Sequence, residues 1–210
     1  DGHEAEPGTS CFVKGIANGK AVKEAYWTVT GLGVFEAYVN GKPVSRKCGR
    51  TGKLTRDFLK PGFTHALKTK HSFTYDVTHL MKTGASDSNV FAAQVSAGWW
   101  RDRIVSFVGR KSGFRAQLIL RYADGTERRV GTDATWLSAV AGSVKSAAIF
   151  DGEDYDARIG NAWMAEAAPS GFKTSEPNGE WLWKTEFFYA FDKAEKSLCE
   201  KGFLRAYFGI

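Results

Sequence analysis

Several residue types that would settle a function are scarce here. Cysteine occurs three times in 210 residues, at positions 11, 48 and 199, with no Cys-x-x-Cys pair. An odd and scattered set excludes complete internal disulfide pairing and offers no metal framework, although one disulfide plus a free thiol stays open. Histidine occurs four times, and His65, His71 and His79 show neither the i, i+4 pairing nor the adjacent carboxylate of a zinc enzyme. They read as surface residues. No apolar run approaches the ~20 residues of a membrane-spanning helix, so membrane insertion is not expected. Residues 1–10 hold no apolar signal core and read as a flexible N-terminus, either a processed end or an excised one. A Gly-x-Ser-x-Gly elbow and a phosphate-cradling glycine loop are both missing, which leaves serine-hydrolase and nucleotide chemistry without support. Long helical periodicity is missing too. Only residues 193–201 could form one short helix, and a loop fits them as well.

Aromatic residues are abundant, with 15 Phe, 7 Trp and 7 Tyr, and 23 glycines provide for many tight turns. Aromatic and β-branched side chains suit the half-buried surface of a sheet. The net charge of +6 raises the question of a polyanionic partner. Seven basic residues fall between Lys42 and Lys60 with Asp57 the single acid among them. That stretch lacks the aromatic interleaving of a single-strand binder, so it reads as a solvated loop and nucleic acid is not expected as a partner.

Alternation marks the strands. Phe35, Ala37 and Val39 share one face of an extended segment, and Asn40-Gly41 follows with the residues a tight hairpin turn demands. Residues 45–71 read as a long Gly- and Lys-rich connection with short strand pieces. Residues 73–80 form a strand entering a turn, and 90–95 a compact apolar strand. Phe114, Ala116, Leu118, Leu120 and Tyr122 alternate, and Asp124-Gly125 turns them into a return strand at 126–130. Residues 136–140, 147–150 and 181–191 are further candidates. Many short strands between turns predict an all-β fold, a sandwich that buries one face of each sheet against the other. One sandwich domain is expected over residues 11–180. Residues 181–210 would add final strands or begin a second, truncated sandwich, since their aromatic strands and Lys-rich turn echo residues 11–39.

Four segments stand in a telling order: GLGVFEAYVNGKPV (31–44), LKPGFTHALKTKHSFTYDVTHLMKTGASDSNVF (59–91), AGWWRDR (97–103), and YADGTERRVGTDATWLS followed by AAIFDGEDYDAR (122–158). Together they resemble the N-terminal β-sandwich domain of bacterial α-L-rhamnosidases, over about residues 12–160. The closing FDGEDYDAR discriminates best, because YVNG and YDVT recur in many galactose-binding-like sandwiches. Phe63 stands where the family pattern has Trp, Trp100 where it has Tyr, and residues 45–58 form a longer loop. The resemblance implies a jelly-roll, galactose-binding-like sandwich and a parent glycoside hydrolase acting on rhamnose-containing plant or bacterial glycans. It implies further that catalysis belongs to a separate helical barrel using two carboxylates, with this chain a non-catalytic accessory domain beside it and beside other β-sandwich domains. No cofactor is then required. Some related sandwiches bind rhamnose with Ca²⁺, so a carbohydrate-binding module recognising rhamnose or galactose-like sugars is the alternative role. An extracytoplasmic location, periplasmic or secreted, is expected.

Two groups could carry such binding. Trp99 and Trp100 are adjacent, so both cannot face one side of a strand. An indole can stack on the C–H face of a sugar while Arg101 and Asp102 bond its hydroxyls. The plainer reading has one Trp in the core and the other at a domain interface. Asp151, Glu153, Asp154 and Asp156 form an acidic stretch with Tyr155. Paired carboxylates suit glycoside hydrolysis, and clustered ones suit Ca²⁺. Here Asp154 and Tyr155 are candidate sugar contacts and Asp151 and Glu153 candidate metal ligands. The plainer reading is a polar turn with Asp156 or Arg158 in a structural ion pair.

Overall fold

A computed structural model of the chain describes residues 8–47, 51–63, 69–101, 112–175 and 205–209. Two antiparallel sheets face each other. The first contains β1 (Ser10–Ala17), β3 (Val34–Val39), β4 (Lys42–Pro43), β8 (Ser88–Ser96), β11 (Leu137–Val140) and β14 (Lys173–Thr174), in the spatial order β14-β11-β1-β8-β3-β4. The second contains β2 (Val22–Leu32), β7 (Thr69–Asp76), β9 (Gly113–Tyr122), β10 (Glu127–Gly131) and β15 (Arg205–Gly209), ordered β10-β9-β2-β7-β15. Going along the chain, β1, β2, β3, β7, β8 and β9 switch sheet at every step, the jelly-roll way of closing one core without neighbouring strands pairing in sequence. Two small hairpins complete the set: β5 (Arg46–Lys47) with β6 (Leu54–Thr55), and β12 (Val144–Ala148) with β13 (Gly152–Tyr155).

The period-2 pattern decides what lies between the sheets. Ala25, Trp27 and Val29 of β2 and Ala116, Leu118 and Leu120 of β9 meet Phe35, Ala37 and Val39 of β3 and Phe91 and Val95 of β8 in one core. Trp27, 1% exposed, lies edge-on to Phe91 at 5.1 Å and to Phe114 at 6.2 Å. Such edge-to-face pairs add to the area the rings bury. The outer face of the six-stranded sheet is covered as well. Cys11, Val13, Tyr38 and Ala92 pack under Trp163 and Met164, which a short 3-10 turn (Ala162–Ala165) lays across them. There the Cys11 thiol donates to the Ala141 carbonyl at 3.2 Å, and burial pushes its pKa up to about 12. Cys48 and Cys199 lie outside the described residues.

Expected and observed elements differ at two edges. The strand expected at 147–150 begins earlier, at Val144, and ends at Ala148, leaving Phe150 in the turn; a register shift between Val144 and Ser146 disguised its alternation. β7 starts at Thr69 inside the segment read as a connection, because Lys70 and His71 are polar residues in a strand. The expected Asn40-Gly41 turn has φ of +51° and +77°, as a type I′ hairpin requires. The strand candidate at 181–191 and the 193–201 segment lie outside the described residues.

The two ends of the sandwich are chemically unlike. Because β8 runs antiparallel to β1 and β3, its start lies beside their ends and its end beside their starts. At the β8 start, Asn18, Asn40 and Asn89 interlock. Asn89 donates to Asn18 Oδ1 at 2.9 Å, Asn40 donates to Asn89 Oδ1 at 2.8 Å, and the carbonyls of Leu80, Lys82 and Gly84 accept the rest. That end is closed by satisfied amides, which stabilise it only as a complete set. The other end carries the aromatic residues described next.

Trp27→Ala is expected to cost about 3–5 kcal/mol, the usual loss for emptying a buried Trp site, whereas Val140→Ala on the surface should be near neutral. Urea unfolding of the two variants followed by tryptophan fluorescence checks the contrast.

Candidate functional site

Trp99 owes its place to the backbone before it. After β8 ends at Ser96, Gly98 adopts φ +52°, and a Cβ there would collide with the Val34 backbone nitrogen. Only glycine allows this approach without strain. The Gly98 N–H donates to the Ala147 carbonyl at 2.9 Å, and the Ala147 N–H donates to Ser96 Oγ at 2.8 Å, so the β12–β13 hairpin is tied to the same turn. The tight turn splits the tandem indoles. Trp100 is 6% exposed and turned inward, while Trp99 stays half-buried at the surface.

Trp99 sits in a trio. Phe63 lies 4.8 Å from it at 60°, and Phe150 lies 5.4 Å away at 89°. Phe63 and Phe150 are 54% and 52% exposed. Contiguous exposed apolar surface of this kind marks interaction sites. Neither phenylalanine was singled out as a site residue from sequence. Phe63 showed only as a substitution in the Pro-Gly-Trp pattern, and Phe150 was assigned to a strand.

Charge holds Phe63 in position. The Lys60 carbonyl accepts from the Phe35 N–H at 2.9 Å. The Lys60 side chain, 1% exposed, reaches inward to Glu36 at 3.3 Å and lies 5.4 Å over the Phe35 ring and 5.6 Å over Tyr75. Arg56 shares Glu36 at 3.2 Å. Asp57 accepts from Arg46 at 2.7 Å and from the Tyr75 hydroxyl at 3.2 Å. A buried, fully charged lysine is costly, and burial holds the Lys60 ammonium below its ordinary pKa despite the Glu36 carboxylate. Burial, then Asp57, pushes the Tyr75 hydroxyl up. Seven basic residues in one loop read as solvated from sequence; three of them are internal fasteners.

The other expected residues are placed as follows. Arg101 is half-buried, with a guanidinium donating to the Gly8 carbonyl at 3.3 Å, and Asp102 lies outside the described residues. Asp151 sits in the turn of the β12–β13 hairpin next to Phe150. Glu153, Asp154 and Tyr155 lie on β13 opposite Ala147, Ser146 and Val144, all exposed. Asp156 is held by Arg158 through two contacts at 2.9 and 2.8 Å, which lowers its pKa. The hairpin therefore brings the acidic stretch and Trp99 to one end of the sandwich through Phe150. Among the described residues, no group of three or more His, Cys, Asp or Glu side chains could hold a metal ion. No described helix is long and apolar enough to cross a membrane.

Over residues 20–177 the sequence matches the family described as the α-L-rhamnosidase N-terminal domain. The chain belongs to that family. An α-L-rhamnosidase of Streptomyces avermitilis is 37% identical over 143 residues, 66% of this chain and 12% of that protein. One from Alteromonas sp. strain LOR is 35% identical over 141 residues, 65% of this chain and 14% of that protein. The crystal structure of Streptomyces avermitilis α-L-rhamnosidase complexed with L-rhamnose superimposes with a TM-score of 0.66 at 29% identity, covering 81% of this chain and 16% of that one. This α-L-rhamnosidase N-terminal domain thus spans about 12–14% of the length of those curated relatives. The matched region contains both the Pro61–Phe63 corner and the Trp99 turn, so the aromatic trio lies wholly inside the family domain.

The Lys60 anchor has a pH signature. Its folded pKa lies below the ordinary value of 10.5, so the unfolded chain binds more protons and stability rises with pH up to that value. Lys60→Met removes the titration while Arg56 still pairs Glu36. The stability difference between wild type and Lys60→Met is expected to move in favour of wild type as pH climbs towards 10.5, as read by urea titrations at successive pH values. A difference independent of pH would show that the folded state does not depress this ammonium.

Proposed function

We propose that this domain is a non-catalytic accessory module of a longer α-L-rhamnosidase, packed through its aromatic end against the catalytic barrel and neighbouring sandwich domains of the parent chain. The observation that carries it is the Phe63–Trp99–Phe150 trio. Each phenylalanine presents itself to Trp99 at a steep angle and takes up part of the indole surface, while leaving half of itself in water. That suits a rigid apolar plug for another protein surface better than an open platform for one sugar ring. A glycosidase needs one carboxyl group with a raised pKa as general acid. The described carboxyl groups whose acidity the fold perturbs, Asp124, Asp133 and Asp156, are all shifted the other way by hydrogen bonds. Such a role asks for no cofactor, and a polymeric glycan substrate favours work outside the cytoplasm.

The 210-residue chain should not turn over an aryl α-L-rhamnoside, whereas a longer protein carrying the following domains should. In that longer protein, Glu153→Gln with Asp154→Asn should leave kcat unchanged. Phe63→Ala with Trp99→Ala should lower its melting temperature more than that of the 210-residue chain. Equal losses in the two proteins would show that the trio serves only the domain itself.

A further inference from the structure

The β5–β6 hairpin and the segment after it carry charge and apolar surface that the fold leaves unused. Of the described cations between residues 42 and 60, Arg46 is spent on Asp57, and Arg56 and Lys60 on Glu36. Lys42, Lys47 and Lys53 are exposed, and none has an acidic partner among the described residues. Lys47 stands directly across the hairpin from Leu54, next to Lys53. Phe58 follows, the most exposed large hydrophobic side chain described at 74%, with the Arg56 guanidinium 5.8 Å over its ring. Leu54 and Leu59 are exposed beside it. The fold thus leaves exposed ammonium groups on the hairpin and an exposed phenyl ring three residues past its end, and the Arg46–Asp57 ion pair ties the residue before Phe58 to the residue before Lys47.

That pairing selects among polyanions. A phenyl face stacks on the C–H face of a pyranose, and compact ammonium groups satisfy carboxylate or sulfate without a fixed geometry. A duplex nucleic acid would gain nothing from the ring, and an unstructured acidic peptide little. We propose that Lys47, Lys53 and Phe58 form a capture site for an acidic polysaccharide, gripped through its uronate or sulfate groups while a sugar ring lies on Phe58. The choice of a glycan rests on the accessory-module reading; the charge and exposure do not. Capture here would hold a charged polymer close to the parent enzyme without occupying the aromatic trio.

Binding of the 210-residue chain to plates coated with polygalacturonate, carrageenan, neutral galactan or poly-L-glutamate tests this. Retention on polygalacturonate assigns the carboxylate and retention on carrageenan the sulfate; either supports the site. Galactan and poly-L-glutamate should each bind at least several-fold more weakly, because each lacks one half of the recognition. Lys47→Gln with Lys53→Gln should weaken binding to the preferred polymer on the order of tenfold at low salt, and wild-type binding should fade at high salt. Phe58→Ala should weaken it several-fold at any salt concentration. These side chains are exposed, and near-UV circular dichroism verifies that the variants remain folded. Binding to poly-L-glutamate as strong as to either acidic glycan, variants that bind like wild type, or no retention on either acidic glycan would each overturn the proposal. The isolated chain is the probe, so those outcomes leave the domain-packing role, read from the longer protein's stability, untouched.

Discussion

The spacing between the two sheets is the constraint from which the rest of this domain follows. Trp27 sets it, because its indole, braced by Phe114 of its own sheet, stands edge-on to Phe91 of the facing sheet and holds the layers apart by the width of packed rings. The sheets can close further only where smaller side chains allow, and Ala25, Ala37 and Ala116 lie in the core around it. With the layers fixed, the strand ends are fixed too. What each end of the sandwich can do depends on the side chains its turns carry.

The end at the start of β8 uses its turns for closure. Three asparagines exchange amide hydrogen bonds with one another and with three carbonyls, and none of the amide groups is offered outward. The opposite end uses its turns for display. There the buried Lys60–Glu36 pair and the Asp57–Tyr75 contact anchor the segment carrying Phe58, Leu59 and Phe63, and Gly98 anchors the turn carrying Trp99. A buried ion pair is weak evidence for stability, since two well-packed apolar residues often do as well. Its use here is positional. Lys60 cannot reach Glu36 unless the loop lies along Phe35, so charge fixes a register that a flexible apolar side chain would leave loose.

Much of the fold was legible because alternation survives wherever one face of a strand is buried and the other is not. Phe35, Ala37 and Val39, and the run from Phe114 to Tyr122, announced their strands and their inward faces. The pattern failed where burial is two-sided or absent: β7 opens on polar residues, and β12 carries a register shift. The site was legible only in part. Tandem tryptophans show that something aromatic occurs near residue 99, yet only the φ of Gly98 decides which indole turns inward. Phe63 and Phe150 lie 36 residues before and 51 residues after Trp99, and no local spacing brings them together. The Lys60–Glu36 pair was hidden for the opposite reason. A lysine in a basic loop looks solvated until the chain is seen to fold its side chain inward.

Placing a glycine before two tryptophans therefore does more than permit a turn. Successive side chains on an extended strand point to opposite faces, and a regular continuation of β8 would send one indole to each face of the sheet. The six-stranded sheet is covered on both faces, so both indoles would then have to be buried, with no aromatic surface left at the rim. Turning the backbone at Gly98 takes the pair off the sheet, so that one ring is buried and the other stays half out. The same close approach brings the Ala147 carbonyl within reach of the Gly98 N–H, and that bond carries the hairpin whose tip supplies Phe150. One backbone conformation thus both keeps Trp99 at the surface and delivers one of its two partners, which is why the exposed aromatic surface of this domain sits at this end and not the other.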